Sequence, residues 1–220
     1  MAPSAPSSAH PTPPISPDPE PTPVHRVLLI LDAQVGLLSP PPRGVPNSQT
    51  LRANLTRILD SARAAPHRPR IIHVRNCGDS GDIDHTGSPG WELIFRPELD
   101  KDEHVLDKKK NNAFAGTKLA ELVPDEALLV VIGAQSDFCV RATCAAALQR
   151  GNEVIVIRGA HGTFDRLEVL AGGAVTSAKD VIKEIDAILT EMGAWEYVAK
   201  EEEGLDTHRK RGQRECGGPL

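Results

Sequence analysis

Leu128-Leu129-Val130-Val131-Ile132-Gly133-Ala134-Gln135-Ser136-Asp137-Phe138-Cys139-Val140 decides how this chain is read. Five aliphatic residues in a row, closed by Gly133, describe a strand buried on both faces. The turn after it is short and polar. A helical pattern then runs from about Phe138 to Arg150 and stops at Gly151, where a left-handed C-terminal cap costs little. A buried strand that passes through a tight turn into a helix is the building unit of a parallel sheet.

The same unit recurs outward from that stretch. Val27–Leu31, Ile71–Val74 and Val154–Ile157 are short Val/Ile/Leu runs bounded by polar residues or glycine. Leu51, Leu55, Ile58, Leu59 and Ala62 share one helix face, with Asn47 and Ser48 available as caps. Val181, Ile182, Ile185, Ile188 and Leu189 form the apolar stripe of a further helix over Ala178–Leu189. The alternation predicts a three-layer α/β/α fold of Rossmann-like type, built on one mostly parallel sheet. Asn76 to Asp107 breaks the rhythm and reads as a long Gly- and Asp-rich loop with Gly87-Ser88-Pro89-Gly90-Trp91 in its middle. Loops of that length are functional or disordered.

Composition narrows the classes. The chain has 220 residues, 40% apolar and 25% charged, with a net charge of −5. An acidic balance argues against a nucleic-acid partner. No apolar run approaches the ~18 residues of a membrane span, so no membrane partner is expected. Residues 1–23 hold nine prolines and neither Lys nor Arg. They read as a disordered Pro/Ser-rich leader, lacking the basic start and apolar core of a signal peptide. Residues 200–220 read as a charged flexible tail, which leaves 24–199 as the folded domain. Cys77, Cys139, Cys144 and Cys216 are too few and scattered for a disulfide framework, so a cytoplasmic protein with reduced thiols is expected.

Ligands of an open parallel sheet bind beyond the carboxyl ends of its strands. Those ends carry Asp32-Ala33-Gln34, then Gly133 to Val140, then Gly159-Ala160-His161-Gly162-Thr163-Phe164-Asp165. Cys139 falls near the first turn of a predicted helix, where a thiol pKa can drop from about 8.5 to roughly 3.5–7.5. A buried Cys that only packs is the alternative. Asp32 is either a site carboxylate or a turn residue, and Lys108-Lys109-Lys110 alone reads as a solvated charge run. His161 reads as a structural hydrogen-bonder. No phosphate-cradling glycine loop and no His-Glu-x-x-His motif occurs. Cys139 and Cys144 do not have the Cys-x-x-Cys spacing of a redox pair.

Four stretches together resemble the isochorismatase-like cysteine hydrolases, the family of nicotinamidases and N-carbamoylsarcosine amidase. They are Leu29 to Gln34, Gly87 to Glu92, Lys108 with Asn112-Ala113-Phe114-Ala115-Gly116-Thr117-Lys118-Leu119, and Gly133 to Val140. They occur in the family's order and span Arg26 to Leu189. The resemblance implies a catalytic triad of Asp32, Lys108 and Cys139. Lys108 is selected over its neighbours because the family's lysine lies six residues before the phenylalanine, here Phe114. It also implies a cis peptide between Ala134 and Gln135, and an oxyanion hole from the N–H groups of Gln135 and Cys139. Gln34, Trp91, Phe114 and Phe138 are the substrate-binding candidates, with plain core packing the alternative for the three aromatic residues.

The nicotinamidase metal site does not match the loop carrying Asp79, Asp82, Asp84 and His85, so neither metal nor cofactor is expected. Asn112, Gly159 and Leu37-Leu38 depart from the family's usual residues and bear on substrate identity. The implied activity is hydrolysis of a C–N bond, amide or carbamoyl, of a small molecule through a thioester on Cys139. Asp32 is its general base and acid, and Lys108 stabilises the thiolate. Relatives are commonly oligomeric, so a homo-oligomer is expected. A catalytically silent member that binds a ligand or partner is the alternative, and a thiol redox protein is a second.

Overall fold

A computed structural model describes residues 25–198; the leader, the tail and Cys216 lie outside the described residues. Chain order runs β1 (Arg26–Leu31), α1 (Ser48–Ala64), β2 (Arg70–Asn76), β3 (Glu103–Lys108), α2 (Leu119–Leu122), β4 (Leu128–Ala134) and α3 (Arg141–Gln149). It continues through β5 (Glu153–Gly162), β6 (Arg166–Glu168), β7 (Ala174–Thr176), α4 (Ala178–Glu191) and β8 (Trp195–Tyr197). Six strands pair in the order β3-β2-β1-β4-β5-β8, every pair parallel. β6 and β7 form a separate antiparallel hairpin.

The aliphatic runs explain the layers. Side chains alternate across a strand, so β1 feeds two cores. Leu29 and Leu31 pack with Val181, Ile185 and Leu189 of α4. Leu28 and Ile30 pack with Leu51, Leu55 and Leu59 of α1. Helices therefore cover both faces, which is what runs without a polar alternation require. Among the described residues no helix is long and apolar enough to cross a membrane.

Four expectations are corrected. The end of the Asn76–Asp107 segment is not loop, because β3 begins at Glu103. β3 pairs on one side only, so its Glu-His-Val-Leu-Asp-Lys sequence lacks the aliphatic run of a central strand. β8 is the opposite edge, three residues long and equally unmarked. The helix after the polar turn starts at Arg141, since Ser136–Val140 forms one wide π-type turn. Gly159 to Gly162 does not follow β5 but belongs to it. A register shift between Val131 and Gly133 lets β5 continue and pair His161 with Gly133.

Gly133 marks where the sheet tightens. Its φ is +124°, and a Cβ there would sit 1.9 Å from the Leu31 carbonyl oxygen on β1. Only glycine meets both conditions. Gly133→Ala is therefore expected to destabilise the fold by more than about 1 kcal/mol, read as a lowered midpoint in urea unfolding followed by circular dichroism. An unchanged midpoint would show that β1 and β4 can separate at no cost.

Candidate active site

The sheet order reverses between β1 and β4, and a crevice opens at such a switch point beyond the carboxyl ends of the strands. Asp32 follows β1 directly, Cys139 lies in the turn after β4, and Lys108 is the last residue of β3. Lys108 reaches inward past β2, and its Nζ lies 2.9 Å from Asp32 Oδ2 and 3.2 Å from Cys139 Sγ. Asn76 Oδ1, at the end of β2, lies 3.3 Å from the same nitrogen. An ammonium has three N–H groups, and each has one acceptor here. Lys109 and Lys110 are exposed, so only Lys108 of the run enters the site.

Asp32 is 1% exposed and has φ +50°, a left-handed backbone uncommon outside glycine. Its N–H donates to the Val74 carbonyl oxygen at 2.8 Å, which holds the turn against β2. Oδ2 is taken by Lys108, whereas Oδ1 is buried with no hydrogen-bond partner among the described residues. The Ala134–Gln135 peptide is cis.

Burial raises the Asp32 carboxyl above its ordinary range, and Lys108 only partly offsets it. Burial works against the Lys108 ammonium as well, but the attraction of Asp32, first among its partners, prevails and holds its pKa above the usual lysine value. The Cys139 thiol is pushed up to about 12, first by burial and then by the Asp32 carboxylate beside it. This corrects the expectation of a lowered thiol pKa. α3 begins at Arg141, beyond Cys139, and its N-terminus does not outweigh a dry setting with a neighbouring anion. The resting site holds one anion, one cation and a neutral thiol.

The remaining candidates separate. Gln34 is fully buried; its Nε2 donates to the carbonyl oxygens of Asn76 and Trp91, each at 3.0 Å. Its Oε1 accepts from the Asn76 N–H at 2.9 Å, so the whole amide is spent on backbone. The Trp91 ring is covered by the Arg75 guanidinium, 3.4 Å from its centroid. Phe114 packs against the α4-side core. Phe138, beside Cys139, is 49% exposed.

Sequence reasoning missed Asn76, read Asp84 only as part of a solvated acidic loop although it is buried, and saw His161 without its partners. Asn76 Nδ2 donates to Asp84 Oδ2 at 2.7 Å. Asn76 also ends a strand, the signal that selected Asp32, but an Asn there reads as turn. Asp84 gives no local signal at all. His161 is buried between Ser136 Oγ and Asp186 Oδ1, each at 2.9 Å, which ties the wide turn to α4. Among the described residues no group of three or more His, Cys, Asp or Glu is arranged to hold a metal ion.

A doubly wound parallel sheet with a thiol, an ammonium and a carboxylate at its switch point defines the class. The isochorismatase domain model matches residues 26–180, and the chain belongs to that family. It is 34% identical over 142 residues to one streptothricin hydrolase of Streptomyces noursei, covering 64% of this chain and 55% of the relative. A second streptothricin hydrolase of that organism is 30% identical over 176 residues, covering 77% and 58%. The chain thus spans little more than half the length of these curated relatives. The crystal structure of an isochorismatase from Pseudomonas putida KT2440 superimposes with TM-score 0.66 at 29% identity, covering 80% of this chain and 87% of the other.

The electrostatics set a direct test. Asp32 raises the thiol pKa, so Asp32→Asn should lower it and speed alkylation of Cys139 by iodoacetamide at pH 8, about tenfold for each pKa unit. Lys108→Met should slow it. Peptide mapping at Cys139 separates its labelling from that of the other thiols. Equal rates in all three proteins would show that neither charge acts on the sulfur.

Proposed function

We propose that this protein is a cysteine hydrolase that cleaves the C–N bond of a small amide-type substrate through a thioester on Cys139. The observation that carries this reading is the Lys108 ammonium bonded to both Asp32 and Cys139 inside a dry site. The thiol rests neutral, so attack and deprotonation occur together. Asp32 accepts the proton as Cys139 Sγ bonds to the carbonyl carbon. Lys108 stays charged and stabilises the sulfur as its electrons shift. The Gln135 and Cys139 N–H groups receive the negative charge on the carbonyl oxygen.

Collapse of the tetrahedral species breaks the C–N bond, and Asp32 returns the proton to the departing nitrogen. Water then attacks the thioester carbonyl and gives its proton to Asp32. The thiolate leaves, takes that proton back and frees the acid. The kinship with streptothricin hydrolases adds streptothricin to the substrates worth trying first.

The pH dependence follows with its sign. Asp32 must be ionised to act as base, so activity is present above its pKa in the folded protein and lost as pH falls through it. That pKa is raised, so the acid limb of kcat/KM should lie above the ordinary Asp value of about 3.9. Lys108 keeps its charge past its usual range, so no alkaline loss from it is expected below about pH 10.

Intact-mass spectrometry after mixing with linear amides, lactams, ureas and streptothricin tests the reading. An acyl adduct or released amine in the wild type, absent in Cys139→Ala, is the expected result. Turnover that survives in Cys139→Ala would overturn it.

A further inference from the structure

We infer that Asp84 is a positioning residue of this site, acting through the Asn76 side-chain amide to fix the direction of the Lys108 ammonium; the inference rests on the cysteine-hydrolase reading. An Asn amide has one donor end and one acceptor end. A carboxylate only accepts, so Asp84 Oδ2 takes the donor end, Nδ2, at 2.7 Å. The oxygen end is then what Lys108 meets, at 3.3 Å. Were the amide reversed, an NH₂ would face an ammonium. With two of its N–H groups committed to Asn76 and Asp32, the ammonium has its third aimed at Cys139 Sγ.

Each link of this chain is held from behind. Asn76 is clamped through its backbone N–H and carbonyl by the Gln34 amide, at 2.9 and 3.0 Å. Asp84 is 7% exposed, far drier than an acid on a solvated loop. Gly78 donates its N–H to the Asp84 carbonyl oxygen at 3.2 Å. A Cβ on Gly78 would lie 2.3 Å from Asp84 Oδ1, so only glycine leaves the carboxylate room to reach Asn76. The loop Asn76–His85 is thus shaped around the Asp84 side chain.

The charge has a second effect. Asp32 faces Lys108 from β3, Cys139 from the wide turn and Asp84 from the loop after β2. Asp84 adds to the elevation of the Asp32 pKa, after the larger effect of burial. One residue therefore steers the cation through Asn76 and adds to the charge around the base.

The experiment compares wild type, Asp84→Asn, Asn76→Ala, Asp84→Ala and the double variant of the two alanine substitutions by two readouts. The first is the pH profile of Cys139 alkylation by iodoacetamide, which needs no turnover. The second is the pH profile of kcat and KM for an amide the wild type hydrolyses. Asp84→Asn is isosteric and retains an oxygen for Asn76. It should keep plateau kcat within about threefold and move the acid limb to lower pH. Asn76→Ala and Asp84→Ala should each lower kcat about tenfold with KM nearly unchanged, and the double variant should lose no more than either alone, as coupled residues do. Asn76→Ala should also move Cys139 alkylation to higher pH, because the ammonium no longer holds its aim.

A wild-type alkylation profile in Asn76→Ala, or an unmoved acid limb in Asp84→Asn, would overturn the inference, as would additive losses. If wild type hydrolyses no amide, the proposed activity fails, while the alkylation profiles still decide the positioning role.

Discussion

Everything near the switch point is arranged around one buried ion pair, Lys108 with Asp32. Taking both groups out of water costs several kcal/mol per ion, which their attraction repays only with good geometry and further hydrogen bonds. Lys108 meets the second condition fully, since Asp32, Asn76 and Cys139 accept its three N–H groups. Asp32 meets it in part, because Oδ1 lacks a partner among the described residues. A pair with one open acceptor is a poor stabiliser and a good proton acceptor. That asymmetry is the physical reason to read the cluster as chemistry rather than as a structural salt bridge.

The thiol follows from the same balance. One anion and one cation neutralise each other, so ionising Cys139 would leave an uncompensated negative charge in a dry site. Its pKa near 12 expresses this. Such a sulfur is guarded: at neutral pH it is a poor target for oxidants and alkylators, whose partner is the thiolate. In the proposed mechanism it becomes a nucleophile only as a carbonyl arrives and Asp32 accepts its proton. Reactivity is thereby tied to occupancy of the site.

The central strands were legible because burial on both faces demands uninterrupted Val, Ile and Leu, and Val27–Leu31 or Leu128–Ile132 can hardly be anything else. Both edge strands escaped notice for the converse reason. β3 needs apolar side chains at few positions, and Glu103 enters its core side only because Arg63, Arg68 and His73 surround it. The positions of Asp32, Lys108 and Cys139 came from strand ends and family resemblance. Their protonation states did not, because those depend on how dry the site is and on which charges meet there. Asp84 lay beyond reach for a related reason: its partner Asn76 is eight residues away across a turn with no repeating pattern.

β3 also shows why a lysine on an edge strand can be aimed at all. Its two buried ends are both charged. Glu103, at the start, would be raised by burial, yet Arg63, the Glu98 N–H and His73 hold its carboxyl down at about 2. Lys108, at the end, is seated by Asp32 and Asn76. Between them the strand registers against β2, Ile71 opposite Glu103 and Asn76 opposite Lys108. Side chains alternate along a strand, so a slip of one residue would present Asp107 or Lys109 to the crevice and leave Glu103 facing solvent. Three consecutive lysines make such a slip chemically plausible at one end. The arginine-bound Glu103 opposes it at the other, because the slip that brings Lys109 forward would set His104 in place of a carboxylate beside Arg63, Arg68 and His73. The choice of Lys108 from its run is thus made at the far end of the strand, five residues before the lysine itself.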